Sequence, residues 1–418
     1  MDEGAFGAAS GRLEPPRRSR APVVHALPSR VVPRPTKPAS VLAAVPDRVF
    51  SPVADRVALP PEKVFGLHVG DTWIEPAEGL RMQDLDAETH PGLHRYCETG
   101  GFPELRDALV EKVRDRNRLP CERDSVRVAA GATGALACAV GAIADPGEEV
   151  LILAPYWPLI RGIVQVLRGQ PVEVPFYDRV GSAADAVAAV EERISSRSVA
   201  LYVSTPANPT GRVLPGDWIE ALADCARRND LWLLSDEVYE DYVYRGEHVS
   251  MGRFAPERTV SVFSFSKAYG MAGNRVGYLV APPDLAAQTE KVGVHTFYHA
   301  PTAGQLAAFR ALEKGREWVE RAREAYRAAG EDAARVLGLP APEGSTFLFL
   351  DVASRLDERG VPGLLEDCAA QGVLVAPGSA SGSDYGTWIR LGYTCLPPER
   401  TAEAVRLLAR QLGFEGLT

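Results

Sequence analysis

The chain has 418 residues, 46% of them hydrophobic and 24% charged, an ordinary globular composition long enough for one large domain or two. Its formal charge of -9 gives no whole-protein attraction to nucleic acid or to a membrane surface. The six cysteines (Cys97, Cys121, Cys138, Cys225, Cys368 and Cys395) are scattered and form no CxxC pair. They read as reduced, intracellular thiols rather than a disulfide frame or a zinc site.

Residues 1–40 carry seven Lys or Arg against three acids and are rich in Pro and Ala, the composition of a disordered arm. Asp2, Glu3 and the prolines argue against an organelle transit peptide, and no secretory apolar core is visible, so a cytoplasmic location is expected. Apolar runs such as "ALACAVGAIA" at 135–144 are too short to span a bilayer. Residues 41–85 are too irregular to hold a core alone and are expected to join the C-terminal domain.

From 86 to 304, β-rich apolar segments alternate with helix-like ones. Candidate strands are 125–131, 148–154, 198–204, 231–237, 259–265 and 275–281, with helices at 184–195 and 216–228 between some of them. Near-continuous apolar strands with helical crossovers predict an α/β domain: a mostly parallel sheet with helices on both faces. Such sheets bind ligands beyond the carboxyl ends of their strands. From 305 to 418, long charged helices precede short strands ("STFLFLDV", "GVLVAP", "TWIRLGY") and a last helix over 398–412, which predicts a smaller α+β domain.

Four stretches carry chemistry. "VFSFSKAYGMAGNRVGY" (262–278) places Ser264 and Ser266 on one face and Phe263, Phe265 and Lys267 on the other if it stays extended; a turn would bring hydroxyls and ammonium together. A lysine beside another cation has a depressed pKa and attacks carbonyls. Arg275, expected to begin the next strand, suits a phosphate dianion. "GATGAL" (131–136) follows a strand and opens an apolar helix, so the amides of Ala132, Thr133 and Gly134 can meet an anion at its positive end. "TPANPTGRV" (205–213) offers the Asn208 amide to a ligand oxygen, with the Asn208–Pro209 isomer left open. "LWLLSDEVYEDY" (231–242) ends a buried strand on Asp236, costly without a partner such as a cationic ring nitrogen, with Tyr239 three residues on.

Together, "NPTG", "D-E-V-Y" and "S-x-S-K…G-x-R-x-G", in this order and at this spacing, resemble the class I/II aminotransferases, which are fold-type I enzymes using pyridoxal 5′-phosphate (PLP). The resemblance covers about residues 60–415. It implies that Lys267 forms the internal aldimine and later moves the proton between Cα and C4′. It implies that Asp236 keeps the pyridine nitrogen protonated. Tyr239 and Asn208 would bond the phenolic oxygen. Ala132, Thr133, Ser264 and Arg275 would form the phosphate cup, assisted by Ser266. "APYWP" (154–158) matches the stretch whose aromatic stacks on the ring: Trp157, with Tyr156 the alternative. "RYCETGGFPELRDAL" (95–109) resembles the segment whose tyrosine, Tyr96, reaches the neighbouring subunit's phosphate, which implies a homodimer with shared sites. "GTWIRLGY" (386–393) resembles the strand whose arginine, Arg390, grips the substrate carboxylate, and "GLHVGDTW" (66–73) the substrate loop, with Gly70 beside the substrate.

The chain departs from the family pattern at "GDTWIEP", which would put Trp73 near the substrate mouth. It departs again at "HTFYHAPT", where His295, Phe297, Tyr298 and His299 are candidates for the pocket. Aspartate specificity does not simply carry over, and a bulky or apolar side chain is suggested. The resemblance implies amino-group transfer between an amino acid and a 2-oxo acid. The same motifs also serve elimination, cyclisation or oxidation of an amino acid. A transcriptional regulator built on this domain would need a DNA-binding domain that the short, Pro-rich arm does not provide. Neither nucleic acid nor membrane is expected as a partner.

Overall fold

A computed structural model of the chain describes residues 36–47 and 49–414; the arm set out for 1–40 lies outside the described residues apart from 36–40. After a two-residue strand, β1 (Phe65–Gly66), seven strands build the central sheet. They are β2 (Val126–Ala130), β3 (Glu149–Ala154), β4 (Gln170–Pro175), β5 (Ser198–Ser204), β6 (Trp232–Asp236), β7 (Thr259–Ser264) and β8 (Val276–Val280). Their order is β2-β8-β7-β6-β5-β3-β4. β3 to β7 pair in parallel, while β8 runs antiparallel to both β2 and β7.

The helices flanking this sheet are α1 (Pro103–Asp115), α2 (Gly131–Ile143), α3 (Pro158–Val166), α4 (Ala183–Glu191), α5 (Gly216–Arg228), the single turn α6 (Phe265–Ala268), α7 (Pro283–Val294) and α8 (Thr302–Lys314). Strand alternation divides the core between the two faces. Val150 and Ile152 of β3 pack with Leu136 of α2 and Ile160 of α3. Leu151 and Leu153 pack with Val190 of α4 and Leu222 of α5. Every residue of β3 and β8 is buried, as the continuous apolar runs predicted. Among the described residues, no helix is long and apolar enough to cross a membrane.

One strand was not expected and two boundaries shifted. β4 was not anticipated, because Pro171 and Pro175 interrupt its pattern; it is the edge strand, and an edge tolerates the missing N–H groups. The stretch through Lys267 does not stay extended: β7 ends at Ser264 and α6 begins. Arg275 is not yet in β8; it sits at φ 55° in the turn just before it.

The remaining elements are α9 (Arg316–Val336), β9 (Phe347–Asp351), α10 (Gly360–Ala370), β10 (Val373–Leu374), β11 (Ala376–Pro377), β12 (Trp388–Gly392) and α11 (Pro398–Gln411). β11, β12 and β9 form an antiparallel sheet, and β1 pairs in parallel with β10. Helix α9 is shared. Its Trp318, Val319, Ala322 and Tyr326 pack with Phe263 and Tyr278 of the large sheet. Its Ala333 and Ala334 pack with Leu348, Ile389 and Leu391. The change of core therefore falls inside α9, beyond the change of pattern at 305. The segment 41–85 is likewise divided: Val53, Phe65 and Leu67 enter the second core, and Leu80 the first.

Ile389 and Leu391 are fully buried behind Arg390. Leu391→Ala is expected to cost about 2–5 kcal/mol of stability through lost burial and the cavity left behind. Urea unfolding measures it, and a loss below about 1 kcal/mol would contradict this placement of the core.

Candidate active site

The antiparallel course of β8 brings the site together. Ser264 at the end of β7 pairs with Gly277 near the start of β8, so Arg275 stands at the same sheet edge as the ends of β5, β6 and β7. A cavity of about 200 Å3 opens there, lined by Lys267, Asp236, Asn208, Tyr239, Arg275 and Arg390 among others.

The turn that places Lys267 is local. The Ser264 hydroxyl accepts the Ser266 N–H at 3.0 Å, capping α6, and donates to the Ser266 hydroxyl at 2.9 Å. Both serines and Lys267 then line the cavity together. The Lys267 ammonium donates to the Gly70 carbonyl. Loss of solvation holds its pKa below the usual lysine value; Arg390 and Arg275 push the same way, while Asp71 and Cys395 oppose.

Asp236 lies at the end of β6 and is 4% exposed. It accepts the Tyr202 hydroxyl at 2.6 Å and the Val238 N–H at 3.3 Å, and no cation among the described residues pairs with it. Burial raises its carboxyl to about 6, against the bonds from Tyr202 and Val238. Asn208, before a cis Pro209, donates its amide to the Tyr239 hydroxyl at 3.4 Å. Burial raises the Tyr239 phenol above its ordinary value, as does Asp236.

Arg390 is 2% exposed. Its Nη1 donates to Asn208 Oδ1 at 3.0 Å and its Nη2 to the His68 carbonyl at 2.8 Å, while its buried Nε has no partner. The guanidinium lies 4.4 Å from the Phe347 ring centre and 5.4 Å from that of Phe50. With no carboxylate beside it among the described residues, burial lowers its pKa to about 10.

At the other end of the cavity, no side chain caps α2, and its first-turn residues Ala132 and Thr133 belong to the lining. Gly131, at φ 72°, leaves no room for a Cβ against the Arg275 guanidinium. A Cβ on Gly277 would stand 2.6 Å from the Ala132 nitrogen. These glycines let the α2 amides and Arg275 close around one point. Among the described residues, Arg275 itself bonds only the carbonyls of Ala272 and Ala130, at 2.8 and 3.4 Å.

Trp157 lines the cavity, whereas Tyr156 is 1% exposed and donates its hydroxyl to Glu173 at 2.6 Å. Gly70 lines it too; the Phe347 ring occupies the space of a Cβ there. Trp73 does not reach the lining. Its ring stands edge-on to Tyr326 at 6.5 Å and packs against the first core, while its main-chain N–H donates to the Thr394 carbonyl at 2.8 Å. His295, Phe297, Tyr298 and His299 are also absent from the cavity wall. Tyr96 is 81% exposed, with Tyr298 edge-on at 4.9 Å. The sequence reading missed Phe50, Val69, Leu159 and Phe347, the apolar wall. Phe50 and Val69 lie in irregular backbone, where no periodicity marks a face.

An unpaired buried acid, a lysine of depressed pKa, an anion cradle and an unpaired buried arginine together fit one molecule. It carries a phosphate, an aldehyde and a cationic ring nitrogen, with room for a carboxylate beside it. That is the chemistry of PLP, and this sheet with that site defines a fold-type I PLP enzyme. Comparison with known proteins agrees. Residues 62–408 match the family described as aminotransferase class I and II. An aspartate/prephenate aminotransferase of Thermus thermophilus is 37% identical over 77% of this chain and 84% of its own. An arginine–pyruvate transaminase of Pseudomonas aeruginosa is 32% identical over 83% of this chain and 90% of its own. A solved single mutant of Thermus thermophilus aspartate aminotransferase superposes with a TM-score of 0.81 at 31% identity, covering 90% of this chain and 100% of that one. The chain belongs to the class I and II aminotransferases. It is a PLP-dependent enzyme that transfers amino groups.

The raised carboxyl of Asp236 has a testable sign. An acid whose folded pKa lies above its unfolded value stabilises nothing at neutral pH; it costs stability as pH rises from the ordinary 3.8 through about 6. In cofactor-free protein that cost reaches up to about 3 kcal/mol above pH 6. Asp236→Asn should therefore stabilise the cofactor-free protein more at pH 7.5 than at pH 4.5, by thermal unfolding. A gain independent of pH would contradict the unpaired acid.

Proposed function

We propose that Lys267 is the covalent anchor of the cofactor and the base that moves the proton at the substrate's Cα. When bound, PLP supplies the carbonyl that receives the amino group and a ring that accepts electrons. The carrying observation is that Lys267, Asp236, Arg275 and Arg390 line one cavity, with no carboxylate partner for either arginine among the described residues. Asp236 holds the proton on the ring nitrogen, whose charge in turn keeps the acid ionised. Asn208 and Tyr239 hydrogen-bond the phenolic oxygen. The α2 amides at Ala132 and Thr133, with Ser264, Ser266 and Arg275, hold the phosphate. Trp157 covers one ring face. Arg390, aimed by Asn208 and His68, takes the substrate carboxylate, and Gly70 bounds the substrate with its backbone. A depressed lysine pKa leaves more of the free amine at neutral pH, as a base requires.

The amino donor in this reading has an uncharged, apolar side chain. Once Lys267, Arg275 and Arg390 are assigned, no cation remains among the lining residues for a second carboxylate, and Phe50, Val69, Leu159 and Phe347 form the wall. The names of relatives span aspartate, prephenate and arginine, so the family's side-chain preference varies. The exposed Tyr96, with Tyr298 and His299 beside it, supports a homodimer with shared sites. The two cores joined along α9 support a large and a small domain, and we place the enzyme in the cytoplasm.

Lys267→Ala should abolish transamination, and full turnover would sink the assignment. A screen of amino acids, read as the change in the bound cofactor's absorbance, should rank phenylalanine and leucine above aspartate; the reverse order would refute the apolar donor. Arg390→Lys, which cannot fork, should raise KM about 10- to 100-fold through the loss of charged hydrogen bonds. An unchanged KM would free Arg390 from the carboxylate role.

A further inference from the structure

Glu173 sits on the edge strand β4, outside the motifs, and both of its carboxylate oxygens are filled. Oε1 accepts the Tyr156 hydroxyl at 2.6 Å and a bond from Arg161. Oε2 accepts both the N–H and the hydroxyl of Ser383 at 2.8 Å. The side chain is only 17% exposed.

The two sets of donors belong to different parts of the enzyme. Tyr156 and Arg161 bracket Trp157, at the turn from β3 into α3. Ser383 lies in the loop that runs from β11 into β12, five residues before the strand of Arg390. That loop rests on the large sheet by three more bonds. The Tyr156 N–H donates to the Ser381 carbonyl at 3.0 Å, the Tyr385 hydroxyl to Asp178 at 2.6 Å, and Arg179 to Asp384 at 2.6 Å. Glu173 is the carboxylate that holds both the turn and the loop.

We propose that Glu173 is a positioning residue that couples the cofactor wall at Trp157 to the substrate clamp at Arg390. It rests on the reading that Trp157 faces the cofactor and Arg390 the substrate carboxylate. Neither group is touched by Glu173. It acts by fixing the backbone on either side, where a displacement of about an ångström costs up to about a hundredfold in rate or affinity. Burial by itself would raise its pKa, but Ser383, Tyr156 and Arg161 outweigh burial and keep the carboxyl below its ordinary value, ionised at neutral pH. An ionised acid is required because every group that faces it is a donor.

Glu173→Gln keeps the shape but turns an NH2 toward donors on one side. In the holoenzyme it should raise the KM for the amino donor and speed cofactor loss on dilution, each by at least about fivefold, with kcat within about twofold. Cofactor loss is followed by absorbance, independently of turnover. A variant with only a lower Tm, its KM and cofactor loss unchanged, would show a merely structural role and overturn the proposal. Should Glu173→Gln not fold, Tyr156→Phe and Ser383→Ala decide instead. Both side chains bond the Glu173 carboxylate, so their effects on KM and cofactor loss should be non-additive by at least about threefold. Additive effects would overturn the coupling. A wild-type holoenzyme that transferred no amino group would instead count against the function proposed above.

Discussion

A guanidinium buried without a carboxylate is the constraint around which this molecule is arranged. Removing a charge from water costs several kcal/mol unless it is paired. Arg390 has an amide oxygen, a main-chain carbonyl and two aromatic faces, which steer it but do not neutralise it. Asp236 presents the mirror image, an acid with two donors and no cation. The fold carries both at a cost in its own stability, which the proposed binding of cofactor and substrate would offset. Unmet charges of this kind lower the stability of a fold, the usual exchange of stability for function.

The sheet makes these charges converge. Parallel strands β5, β6 and β7 deliver Asn208, Asp236 and Lys267 from their carboxyl ends. A parallel β8 would have started at the opposite edge. Its reversal returns Arg275 to the site, beside the amide end of α2 that follows β2. Gly277 is required by this geometry, since main chain from both β7 and α2 stands within 3 Å of where its Cβ would be. One strand direction and one missing methyl group thus produce the anion cradle.

Much of this was legible in the sequence, for identifiable reasons. Strands buried on both faces announce themselves as unbroken apolar runs, and six of the seven in the large sheet were found that way. The polar residues that interrupt such runs, Asp236 and Lys267, stand out because burial makes them expensive. What stayed hidden depends on contacts distant in the chain. β4 is broken by prolines that only an edge position tolerates. Trp73 looked like a mouth residue from its neighbours, yet Tyr326, over two hundred positions away, sets its direction. Phe50 and Glu173 carry no motif, and their roles exist only once β12 is packed against the large sheet.

The loop around Gly70 shows how the two lobes share a single pocket. Its backbone is bound to the end of β12: the Gly392 N–H donates to the Leu67 carbonyl at 2.7 Å, and the Thr394 hydroxyl to that of Asp71 at 2.6 Å. From that anchorage the Gly70 carbonyl reaches Lys267, and the Phe347 ring fills the place where a Cβ would stand. Lysine, loop and arginine strand are thus held in register through the carbonyls of the loop's main chain, at Leu67, Gly70 and Asp71. The side chains left free to vary around the substrate are then Val69, Phe50 and Leu159, on three separate segments. Of these, Phe50 also faces the Arg390 guanidinium at 5.4 Å, so substitutions at Val69 and Leu159 are the ones that change the shape of the pocket apart from the charged groups.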